Sequence, residues 1–111
     1  MKVKTSALTG VALDWAVAKC EVGAEFIGEI NDPHFYSTDW ALAGPIVERE
    51  KIDLNYFPDG SYDNGGAWMA TRTDGPAVSE EEGDTPLAAA MRCYVASKLG
   101  DEVELPEELT Q

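Results

Sequence analysis

The chain has little of what active sites are usually built from. One histidine, two cysteines and eight lysines or arginines are spread over 111 residues. A cysteine nucleophile needs a base beside it, and the single His34 cannot be placed next to either Cys20 or Cys93 from sequence. The two cysteines lack any metal-ligand spacing, and each falls in a segment with helical patterning, so both read as small buried apolar residues in a reducing cytosol. No run of about 18 apolar residues is present, which argues against a membrane-crossing helix. Met1-Lys2-Val3-Lys4-Thr5 lacks the apolar centre of a secretory signal. Gly65-Gly66 has no following lysine and helix to make a phosphate cradle, and no acidic run has the spaced oxygen ligands of a calcium loop. Neither a cofactor nor a metal is therefore expected.

The shortage of cations dominates the charge. Lys plus Arg is 8 against 21 Asp plus Glu, a formal net charge of −13. Residues 1–51 hold 8 acids and 5 bases, whereas 52–111 hold 13 acids and 3 bases. Such a field repels phosphate backbones and anionic lipid, so direct binding to nucleic acid or a membrane is not expected. It fits two roles: solubility, and attraction to a basic surface on a partner protein.

What the chain does contain is helix punctuation. Thr85 is placed to cap a helix that starts with Pro86, Leu87, Met91, Val95 and Leu99 recur every four residues, and Gly100 follows Lys98 at the end. A second helix is read over about 10–21, with Thr9 as its cap and Leu8 with Leu13 as a hydrophobic staple. Its apolar face is Leu13, Ala16, Val17 and Cys20, which leaves Asp14, Lys19 and Glu21 for solvent. The third, about 38–51, starts from Ser37-Thr38-Asp39 and carries Pro45, where a kink or a fresh start is expected.

Ile52, Leu54 and Tyr56 alternate with Asp53 and Asn55, which is strand periodicity, and 67–72 reads as its hairpin partner. Residues 1–5 and 24–30 are further short strand candidates. Residues 73–84 read as an exposed acidic connection, and 101–111 as an acidic tail whose Val103, Leu105 and Leu109 are placed to dock on the core or on another chain. The class is therefore α+β: one domain, with three helices packed on a small antiparallel sheet.

Two groups of residues are candidates for function. His34, Tyr36, Ser37, Thr38, Asp39 and Trp40 crowd a loop that feeds a helix amino terminus, where backbone N–H groups can receive an anion or a carbonyl oxygen. The same residues also serve as ordinary capping and packing residues. Glu80, Glu81, Glu82, Asp84, Asp101, Glu102 and Glu104 are the candidates for contact with a basic partner. Mid-helix Arg92 is placed to pair weakly with acids of the tail.

Three segments carry a family resemblance: Leu8-Thr9-Gly10 with 12–18, Ser37-Thr38-Asp39-Trp40 with 44–50, and Thr85-Pro86-Leu87 through Gly100. In order and spacing they resemble small proteins of tailed bacteriophages and prophages of enteric bacteria, often called NinX-like, a domain of unknown function. The resemblance implies a phage origin and an intracellular life in the infected cell, and it supplies no catalytic residue. The expectation is a non-enzymatic interaction protein that engages a host or phage protein, as a host-modulating factor or a nucleic-acid mimic. The alternative is a small ligand-binding or enzymatic domain that uses the 32–40 loop. A monomer or a weak homodimer fits either.

Overall fold

The longest helix is the hub of the structure. In the computed structural model, which describes residues 2–22, 35–57, 67–74 and 76–106, α3 spans Pro86–Leu99. Thr85 caps it by accepting the Ala88 N–H at 3.0 Å, and Gly100 ends it at φ 87° with its N–H on the Ala96 carbonyl. Its buried residues are Leu87 and the unbroken run from Ala89 to Val95, well beyond the single stripe that its four-residue spacing predicts. The reason is that α3 has neighbours on several sides. Helix α1 (Gly10–Val22), helix α2 (Trp40–Glu50) and the strands β3 (Trp68–Asp74) and β4 (Ala77–Gly83) all contact it. A helix surrounded in this way has no solvent face along its middle turns, and its alanines permit the close approach.

The entry to α1 bends through Gly10 at φ +54°, a conformation in which a side chain is strained. Leu8 and Leu13, the expected staple, are each 1% exposed. Asp14 departs from expectation. It is buried, because its Oδ1 accepts the Ser37 N–H at 2.8 Å and fastens the turn before α2 to α1.

Asp39 caps α2 through the Ala41 N–H at 2.9 Å. The helix then runs through Pro45 as one element, with no fresh start. Pro45 sits close to the helix start and deprives only the Ala41 carbonyl, which belongs to an exposed residue within reach of water. Lys51 ends the helix in the left-handed region, at φ 56° and ψ 50°.

Strand β2 (Asp53–Tyr56) pairs antiparallel with β3, and β3 pairs antiparallel with β4. The hairpin expected over 52–57 and 67–72 is therefore present. Residues 77–83 are a correction: they form a third strand, not a loose acidic connection. Three glutamates are poor strand formers in isolation, but an edge strand supported by β3 on one side and α3 beneath tolerates them. The start of the tail also takes part, because β5 (Glu102–Glu104) pairs with β1 (Lys2–Lys4) in a separate two-stranded ribbon. Val103 and Leu105 dock on the core at 2% and 3% exposure. The expected strand at 24–30, along with Leu109, lies outside the described residues.

Gly83 marks the closest approach of sheet and helix. A Cβ built there would lie 2.6 Å from the Ala89 backbone nitrogen. Gly83→Ala is expected to cost about 1–3 kcal/mol in chemical denaturation.

Candidate functional site

Three helix amino termini converge on one groove. A cavity of about 280 Å³ is lined by Ser37, Thr38, Trp40, Thr85, Pro86 and Leu87. A neighbouring one of about 230 Å³ shares Ser37, Thr38 and Thr85 and extends to Thr9, Gly10, Asp84 and Arg92. Of the loop candidates, Ser37, Thr38 and Trp40 are brought together here, with Trp40 half exposed. Asp39 is occupied as the α2 cap, the Ser37 N–H is held by Asp14, and half-buried Tyr36 has its hydroxyl pKa raised by burial and by the Glu21 charge. His34 lies outside the described residues.

Arg92 also faces this groove, and its role differs from the weak tail pairing expected of it. It is 9% exposed. Its Nε donates to the Leu8 carbonyl and its Nη1 to the Glu82 carbonyl, each at 2.8 Å. It joins the α1 entrance and β4 to α3.

The acidic candidates separate into distinct environments. Cross-strand register puts Glu81 beside fully buried Ala70, on the face toward α3. Burial raises the Glu81 carboxyl pKa, nearby Arg92 opposes that shift, and the Asp101 and Glu82 charges add to it. Glu80 and Glu82 stand opposite Thr71 and Met69 on the other face. Glu102 and Glu104 lie directly across from Lys4 and Lys2. Asp84 lines the groove, and the Asp101 carbonyl accepts the Thr5 N–H at 2.8 Å.

A polar cluster that sequence reading missed sits at the far ends of α1 and α2. Arg49 grips Glu21 with both terminal nitrogens, at 2.6 and 3.2 Å, and the Tyr94 hydroxyl donates to the same carboxylate. Glu50 takes the Arg49 Nε at 2.8 Å, the Arg72 guanidinium at 3.0 Å and Lys98 at 3.5 Å. These residues come from α1, α2, β3 and α3, so no local spacing announces them. Burial alone would raise both carboxyl pKa values. At Glu21 the bonds from Arg49 and Tyr94 outweigh it, and at Glu50 those from Arg49 and Arg72 with the Lys98 charge do, so both are lowered.

The nucleophiles are quiet. Burial, with the charge of nearby carboxylates, pushes the Cys20 thiol up to about 11 and the Cys93 thiol up to about 12. The same burial, with Glu21 alongside, raises the Tyr94 hydroxyl. Both thiols are therefore neutral near pH 7 and poor nucleophiles.

Because Glu21 and Glu50 titrate lower when folded, the stability they contribute is complete above their unfolded value of about 4.5 and is lost as the pH falls through the folded values. Melting temperature is expected to fall steeply below that point, and Glu21→Gln is expected to flatten the fall. A wild-type acid limb unchanged in Glu21→Gln would contradict the assignment.

Among the described residues no group of three or more His, Cys, Asp or Glu is arranged to hold a metal ion, and no helix is long and apolar enough to cross a membrane. No curated protein matches the chain. A family model described as Bacteriophage P22, NinX matches residues 4–98, which takes in α1, α2 and nearly all of α3. That span includes the Leu8-Thr9-Gly10 and Ser37-Thr38-Asp39-Trp40 segments and most of the segment that begins at Thr85, so the chain belongs to the bacteriophage P22 NinX family.

Proposed function

We propose that this protein is a non-enzymatic interaction module that docks on a host or phage protein with a basic surface, in the cytosol of the infected cell. One observation carries the reading: most of the few cations are already committed within the fold. Arg49, Arg72 and Lys98 surround Glu21 and Glu50. Arg92 holds two backbone carbonyls, Lys2 and Lys4 stand across from Glu104 and Glu102, and Lys19 lies over the Trp15 ring at 5.4 Å. The acids outside these arrangements project a field with little positive charge to offset it, and such a field steers a basic partner. The raised thiols support a role without nucleophilic chemistry.

Attraction of this kind weakens with salt, since the Debye length shrinks to about 8 Å near 0.15 M. Tagged protein is expected to retain a partner from infected-cell lysate at low salt and to release most of it at moderate salt. Recovery of nothing at either salt contradicts the reading. If the partner's basic surface is a nucleic-acid groove, added DNA is expected to compete.

A further inference from the structure

The register of the three-stranded sheet sorts its side chains onto two unlike faces. Leu54, Ala70 and Glu81 form one cross-strand row toward α3, and Arg72 turns to that side to reach Glu50. Asp53, Thr71 and Glu80 form the opposite row, flanked by Asn55, Met69 and Glu82 on one side and by Thr73 and Val78 on the other. Asp53, Thr73 and Glu80 are exposed, and Val78 is 56% exposed. None of the strand residues on this face is a lysine or arginine.

We infer that this outer face of the β2–β3–β4 sheet is the docking surface, and that its occupant is a lysine- or arginine-bearing segment of a partner protein. The inference rests on the interaction reading above and names the surface responsible. Charge complementarity selects the occupant. Asp53 and Glu80 stand two strand spacings apart, about 10 Å, so successive basic side chains of one segment reach both. Thr71 offers a hydroxyl between them, and Val78 offers apolar area beside them. The other acid-rich elements fit the role less well. The β5 carboxylates stand opposite lysines of β1, Glu81 points toward the core, and Glu21 and Glu50 are enclosed by cations.

The test uses isotope-labelled full-length protein titrated with a synthetic peptide of alternating lysine and threonine at low salt. Amide shifts are expected to concentrate at Asp53, Thr71, Thr73, Val78 and Glu80. The double variant Asp53→Asn/Glu80→Gln is expected to bind about three- to tenfold more weakly. Glu102→Gln/Glu104→Gln, which removes the same amount of charge, is expected to bind as the parent does. Equal weakening by both pairs overturns the face assignment and leaves the interaction reading standing. Absence of binding even at low salt overturns the basic-segment occupant, while the interaction reading stands or falls on the lysate recovery above. Self-association abolished by Asp53→Asn/Glu80→Gln assigns the face to a second copy and overturns the basic occupant, as do identical shifts on adding magnesium chloride alone.

Discussion

The guanidinium of Arg92 is the contact on which the arrangement turns. Buried charge is tolerated only where its donors are satisfied, and here two of them close on carbonyls 84 and 10 residues away in sequence, Leu8 and Glu82. Those bonds fix how α3 lies between the α1 entrance and the edge of the sheet. Gly83, the next residue along β4, then comes close enough to α3 to exclude a side chain. The groove between the helix starts exists because these elements are held together at that point. An alanine-rich helix without the arginine would retain apolar contact with its neighbours, but it would lose the bonds that fix its rotation.

Much of the architecture was legible in the residues because its signals are local. Thr85-Pro86 and Gly100 bracket α3, Asp39 caps α2, and the alternation from Ile52 to Tyr56 marks β2. What escaped was decided by distant neighbours. Ala77–Gly83 carries no strand signal of its own and becomes a strand through β3 and α3. Asp14 looks like a surface residue of α1 until the turn before α2 supplies an amide for it. The site divides along the same line. Ser37, Thr38 and Trp40 were visible as a cluster, whereas Thr85, Leu87 and Arg92 join them only through the fold. The Glu21, Arg49, Glu50, Arg72, Tyr94 and Lys98 cluster draws on four elements, so no window of sequence contains it.

The fold turns a compositional fact into a directional one. A net charge of −13 has no geometry by itself. Strand pleating divides Glu80 from Glu81, and the enclosure of Glu50 by Arg49, Arg72 and Lys98 draws three of the eight bases to one end of α1 and α2. The negative charge is thereby left on chosen faces. The polar cluster thus has two consequences: it ties three helices and a strand together, and it keeps their cations away from the exposed sheet.

The pairing of β1 with β5 bears on the order in which the parts of the fold assemble. Val3 lies opposite Val103, Thr5 donates its hydroxyl to the Gly100 carbonyl at 2.7 Å, and its amide reaches Asp101. Segments 95 residues apart are therefore joined here. Until the two segments meet, β1 lacks its strand partner and Thr5 lacks these acceptors. Closing a loop over such a separation costs entropy that local contacts avoid, so the ribbon closes later than the locally wired helices, and a chain deprived of β5 presents β1 as an unpaired strand.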